Sequence, residues 1–332
     1  MILSAQAVYI ANNVKRASEG ALHVVIADNK KDAYFLASDL DNFFLEENLF
    51  FFPATSEKSE YKKNTALLQR TAALSALTRW TSSNQVRSDA DNSSYVIKKE
   101  LLTKTPVPST IVVTYTEAVE EKVLRPKAIR ASILTLRKGE SLSHSAISEV
   151  LFAEGFRKVD FVTMPGEFAL RGSLVDIYSF ADEQPLRIDF FGDEIESIRH
   201  FNPDNQLSVG NSLPEVTIFP NLDEIGDKQE YVDFQSILPP GVTMWDLRED
   251  IRKKSDEDIV PQPAFAKNFE LLSNDIVKKQ IEGYTVTILS PNESQTRRLK
   301  EILRNVKPLF LPVSLHEGYI DKASKNCYYT DH

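Results

Sequence analysis

Residues 161–201 read FVTMPGEFALRGSLVDIYSFADEQPLRIDFFGDEIESIRHF, and this stretch decides the fold. Its spacing predicts three strands joined by turns. Val162, Thr163 and Met164 run into Pro165-Gly166, a turn dipeptide. Phe168 to Tyr178 form an aromatic and β-branched run broken once, at Gly172. The segment 182–185, ending in Pro185, is a turn. After it Leu186, Ile188 and Phe190 alternate with Arg187, Asp189 and Phe191, the period of a half-buried strand. Gly192-Asp193 turns the chain again, and Ile195, Ser197, Arg199 and Phe201 continue the alternation. An antiparallel sheet with one polar face follows. That face carries Arg171, Arg187 and Arg199, with Phe191 near Arg187.

Working outward, 1–20 reads as a helix, His23 to Ala27 as a buried strand, 31–44 as a second helix and Leu49 to Phe52 as a second buried strand. This alternation implies a parallel sheet covered by helices. Residues 54–80 turn from polar to helical. Residues 81–94 form a polar loop with few apolar anchors, expected to be disordered and the first point of protease attack. Ile111 to Tyr115 is a strand, and 117–123 starts a helix. A short strand at 131–136 and a helix capped by Ser141 or Ser143 and ended by Gly155 lead into the opening stretch. Beyond it come a strand at 213–221, an acidic helix within 223–234, and strand-like 243–245. An irregular segment at 255–269, helices at 271–281 and 293–303, and a strand at 284–289 follow; Phe310, Leu311, Tyr319 and Ile320 finish the fold. The fold class is therefore α/β. The expected division is a body in two parts, 1–127 and 213–332, with a small α+β module, 128–212, inserted between them.

Composition bounds the function. The chain has 332 residues, 42% hydrophobic and 26% charged, with a net charge of −9. That suits a globular protein of two or three domains and argues against a dedicated nucleic-acid binder, which carries a basic excess. The single cysteine, Cys327, excludes an internal disulfide and fits a reducing cytoplasm. No apolar run reaches the roughly 18 residues of a membrane span. Five scattered histidines, His23, His144, His200, His316 and His332, show no metal-ligand spacing. The acidic turn after Phe190 has the look of a Mg²⁺-holding strand end, but no phosphate loop stands upstream, so an ordinary turn is the reading. Arg297, Arg298, Lys300 and Arg304 are expected on the solvent side of their helix rather than on DNA.

PGEFALRGSLVDIY, 165–178, followed by PLRIDFFGDEIESIRHFNPDNQLS, 185–208, resembles the segment shared by UvrB and the N-terminal region of the transcription-repair coupling factors. The resemblance implies a degenerate P-loop-NTPase-like, UvrB- and helicase-like body with an inserted module that docks the damage sensor UvrA. In that family the opening helix follows a phosphate-binding loop. Here the corresponding residues are Leu3, Ser4, Ala5, Gln6 and Ala7, which supply neither the glycines nor the lysine that a phosphate cradle needs. The resemblance therefore implies no catalytic residues, no metal and no cofactor in this chain. ATP and Mg²⁺ belong to motor domains outside it, as do the contacts with RNA polymerase and double-stranded DNA. The long aromatic hairpin of UvrB is missing: about ten polar residues with one aromatic, Tyr61, stand there.

The ordinary reading of scattered arginines is a solvated face. The resemblance implies instead that Arg171, Arg187 and Phe191 contact UvrA, with Glu167 and Phe190 as weaker neighbours. A planar guanidinium suits bidentate pairing with a partner carboxylate. All three side chains are expected on one exposed face, so that alanine at either arginine leaves the fold intact. The function implied is recruitment of UvrA to a stalled polymerase in excision repair, with the same surface packed against the C-terminal region of the full-length protein in autoinhibition. The rival class is a UvrB-type ATPase that loads on damaged DNA.

Overall fold

The computed structural model describes residues 2–16, 21–55, 60–79, 94–103, 109–182, 184–222, 231–248 and 258–330. The chain divides into two compact units. One comprises 1–51, 82–116 and 240–332; the other comprises 52–81 and 117–239. Residues 81–93 of the expected loop 81–94 and most of the acidic segment 223–234 lie outside the described residues.

The first unit holds two sheets. Strands Thr243–Asp246, Leu22–Ala27, Thr110–Tyr115 and Leu49–Phe51 lie in that order, all parallel. Leu22–Ala27 is buried at every position, which is why its sequence is a continuous apolar run instead of an alternating one. Helix Leu3–Val14 precedes it and helix Lys30–Asp41 follows, the latter capped by Asn29, whose side chain accepts from the Asp32 amide. The second sheet runs Ile259–Pro261, Tyr319–Asp321, Asn326–Tyr329, Thr285–Leu289, Leu309–Leu311. Helices Phe269–Ile281 and Glu293–Ile302 accompany it. Strand Asn326–Tyr329 was not expected from its sequence; it pairs on both sides and buries Cys327 and Tyr329. Arg297, Arg298, Lys300 and Arg304 are exposed, as the sequence reading has them.

In the second unit, helix Glu60–Arg79 buries Arg70, whose guanidinium donates to the Pro53 carbonyl at 2.7 Å, pairs with Glu121 at 3.0 Å and stands over the Phe52 ring. Where a helix was expected over 117–123, the chain makes a short helix, Thr116–Glu120, and then strand Lys122–Leu124, paired with Tyr231–Asp233. A six-stranded sheet follows in the order Ser208–Val209, Glu194–Phe201, Leu186–Phe191, Leu174–Ile177, Glu167–Arg171, Arg157–Lys158. One of its faces packs on helix His144–Ala153, capped by the Ser143 hydroxyl, in a core that includes Leu151, Phe168, Val175, Ile188, Phe190 and Ile198.

Three expectations need correction. Gly172 does not break a single strand: Arg171 pairs with Leu174, so Gly172-Ser173 is the tip of a hairpin, with Gly172 at φ 62°. The segment 162–164 is not a strand, because the amides of Thr163 and Met164 are taken by the Glu167 carboxylate at 2.9 and 3.0 Å. The small module does not stop at residue 212: Glu215–Ile218 pairs with Leu134–Arg137, and residues 52–81, 117–127 and 213–239 group with it instead of with the rest of the chain.

Candidate functional site

Alternation sets up the site. In strand Leu186–Phe191 the core takes Leu186, Ile188 and Phe190, which turns Arg187, Asp189 and Phe191 to the opposite face. Register then fixes the neighbours. Ala169 lies opposite Asp176, Asp176 opposite Arg187, and Arg187 opposite Arg199, so these four form one row across the sheet. Arg171, opposite Leu174, stands one step along and reaches Asp176 on the diagonal.

Asp176 is fully buried and is the centre of the arrangement. Arg187 clamps it with both arms of its guanidinium: Nε donates to Oδ1 at 2.7 Å and Nη2 to Oδ2 at 2.9 Å. Nη2 of Arg171 donates to the same Oδ2. The clamp holds the Arg187 guanidinium above its ordinary range; its hydrogen bonds to Asp176 and the opposite charge outweigh burial. A buried carboxylate with two guanidinium partners is paired as burial of a charge requires.

A second, smaller core lies under the arginines. Val162, Ala169 and Phe201 are buried there, and Arg187 stands with its Cζ 4.5 Å from the centre of the Phe201 ring. The turn 202–207 closes over this corner. Gln206, at φ 62°, accepts from Arg187 Nη1 through its carbonyl at 2.8 Å, and its side-chain amide donates to the Val162 carbonyl. Arg171 lies over the exposed ring of Phe161, 5.2 Å from Cζ to centroid.

The three residues singled out from the sequence do share a face, but their exposure differs. Phe191 is 80% exposed. The Arg171 side chain is 30% exposed and that of Arg187 only 15%. Arg187 is thus a structural group as well as a surface one, and the exposed guanidinium on which the expectation for its alanine variant rested is not found. Neither of the weaker neighbours is open to a partner. Phe190 is buried in the core. Glu167 is buried and spent: although burial pushes its carboxyl up, the Thr163 and Met164 amides and Arg157 outweigh that and hold it below the usual range. Asp176, Phe161 and Gln206 were missed. Asp176 had a signal, a lone acid inside the apolar run LVDIY at the right parity for the arginine face.

Leu3 to Ala7, where the resemblance would put a phosphate loop, form the start of helix Leu3–Val14, and Ser4 to Ala7 are buried. The helix start is occupied by the chain itself. The Leu3 amide donates to the Glu317 carboxylate at 3.0 Å, and Ser4 Oγ accepts from the Glu317 amide at 2.9 Å while donating to Asp39 at 2.6 Å. Asp39, fully buried, also accepts from the amide and ring of His316; its carboxyl is pushed up by burial, against these hydrogen bonds. Among the described residues, no three His, Cys, Asp or Glu side chains gather as metal ligands, and no helix is long and apolar enough to cross a membrane.

Residues 134–223, which contain every member of the arginine–aspartate arrangement, match the family model of the UvrB interaction domain. Curated relatives are similar over parts of the chain. The transcription-repair-coupling factor of Borreliella burgdorferi is 27% identical over 182 residues, 53% of this chain and 15% of that protein. That of Bacillus subtilis is 33% identical over 110 residues, 33% of this chain and 9% of that protein. That of Escherichia coli is 38% identical over 89 residues, 27% of this chain and 8% of that protein. The chain thus spans a small fraction of the length of the relatives it matches. The resemblance to the UvrB-like region of transcription-repair coupling factors, read from 165–208, is shown by these matches.

Proposed function

We propose that this chain is a docking module of transcription-coupled excision repair that binds UvrA through the sheet face bearing Arg171, Arg187 and Phe191. The observation that carries the reading is the Asp176 clamp: a buried carboxylate holds two arginines on one face of a domain that matches the UvrB interaction domain, beside a phenylalanine that is 80% exposed. Arginine and aromatic side chains together have the composition of an interface centre. Pre-fixing guanidinium groups removes rotamer entropy that a partner would otherwise have to overcome. Arg171, with Asp176 on one side and solvent on the other, is the arginine left with an open edge for a partner carboxylate.

On this reading the chain itself is not an enzyme. The body keeps a UvrB-like ancestry without its nucleotide chemistry, and the Glu317 cap on helix Leu3–Val14 supports that, since it stands where a phosphate would have to approach. Translocation on double-stranded DNA driven by ATP and Mg²⁺, and the binding of RNA polymerase, fall to regions outside this chain. Within a longer protein the same arginine–phenylalanine face packs against the C-terminal region when UvrA is not engaged. Interferometry with immobilised UvrA and the 332-residue chain tests the reading: binding that Phe191→Ala weakens without a change in melting supports it, and no binding by the wild-type chain overturns it.

A further inference from the structure

Helices Phe269–Ile281 and Glu293–Ile302 each begin near the carboxyl end of strand Thr285–Leu289, and a cavity of about 460 Å³ opens there. That volume falls within the range of small-molecule sites. Its apolar wall is formed by Phe265, Phe269, Leu272, Ile288 and Leu299. Lys267 and Arg298 stand at the mouth, both exposed, and among the described residues none that lines the cavity is acidic. In a chain of net charge −9 this is a local inversion of charge.

The wall also carries strain: Ala266 and Lys267 are consecutive non-glycine residues in the left-handed region, at φ 45° and 63°. Such conformations cost free energy and concentrate at ligand clamps. Helix Phe269–Ile281 presents its positive end here and is already capped by the Asn268 side chain. An anion at the mouth therefore gains from that dipole and from Lys267 and Arg298, not from uncapped amides.

We propose that this cavity binds a small organic anion, with an apolar ring or short chain against Phe265, Leu272 and Ile288 and its acidic group beside Lys267 and Arg298. The site is independent of the docking face, which lies in the other unit.

The probe is 8-anilinonaphthalene-1-sulfonate, titrated into the 332-residue chain and followed by fluorescence. The expected result is one saturable site in the micromolar range. Lys267→Glu and Arg298→Glu should each weaken it about tenfold by setting like charge against the sulfonate. Both side chains are exposed, so these variants should melt as wild type does. Leu272→Trp should block the site by filling it. Decanoate and phenyl phosphate should displace the probe, their ranking giving the preferred body and acidic group; uncharged naphthol should not. Absence of saturable binding, displacement by naphthol as readily as by the anions, or wild-type affinity in both charge-reversed variants overturns the proposal.

Discussion

Replacing Asp176 is the most informative single perturbation of the docking face. Its carboxylate receives three charge-assisted hydrogen bonds, two from Arg187 and one from Arg171. The two partners do not count equally. Arg171 is 30% exposed, so much of its attraction to Asp176 is screened, and it contributes on the order of 1 kcal/mol at most. Arg187 is 15% exposed and bidentate, and losing its partner leaves a largely buried guanidinium uncompensated. Asp176→Ala should therefore cost about 3–5 kcal/mol, the range for breaking a buried pair. Asp176→Asn keeps the shape and one acceptor oxygen and should cost about 2 kcal/mol. In a unit of this size that lowers the melting temperature by about 4–8 °C. Because the asparagine no longer fixes both arginines, affinity for UvrA should also fall, by about tenfold, at a temperature where the variant is still folded. Urea denaturation and interferometry on the same preparations read the two effects. A variant that melts like wild type would refute the clamp. A destabilised variant with unchanged affinity would show that Asp176 supports the fold without positioning the arginines.

Other expectations follow from the same geometry. Arg187→Ala should cost roughly 2–4 kcal/mol in urea denaturation while Arg171→Ala costs less than about 1, an asymmetry set by their burial. Gly166→Ala should lose at least about 2 kcal/mol, since Gly166 is at φ 83° and a Cβ there would lie 2.5 Å from the Phe180 ring; wild-type melting would exclude that crowding. His23 is held down to about 4 by burial, so its folded form binds a proton less well than the unfolded chain does. Stability present above about pH 6.5 should be lost as pH falls toward 4, by up to about 3 kcal/mol, and His23→Gln should flatten that slope; the neighbouring Trp245, whose indole N–H donates to His23, gives a fluorescence readout. Calorimetry with Mg-ATP should register no binding, and micromolar binding dependent on residues 1–20 would overturn the account of the Glu317 cap.

Much of the docking face was legible because strand parity is a strong local signal. LRIDFF alone puts Arg187 and Phe191 on one side and Ile188 and Phe190 on the other, and the structure keeps that assignment. What alternation cannot report is what covers a face. Arg187 is enclosed because Phe201 packs beneath it and the turn at Gln206 closes over it, both brought there by pairing with the next strand. Gly172 read as an interruption because a two-residue hairpin leaves the apolar run almost unbroken. Strand Asn326–Tyr329 is short and begins beside charged residues, and it exists because it is sandwiched between two partners. At Leu3 to Ala7 the missing glycines were visible, but Glu317, which occupies the helix start from 314 residues away, was not. Apart from the local hairpin at Gly172, long-range pairing decides these cases, and one sequence carries no record of it.

On the proposed function, Arg171 and Phe191 meet UvrA directly. Phe191 is 80% exposed, so Phe191→Ala removes a contact surface without removing a core side chain. The decisive measurement is the UvrA affinity of the wild-type chain, Phe191→Ala and Arg171→Glu, each with its melting curve. The account predicts native melting for Phe191→Ala with affinity lowered about thirtyfold, equivalent to roughly 2 kcal/mol, and a larger loss for Arg171→Glu. Wild-type affinity in both variants would contradict it.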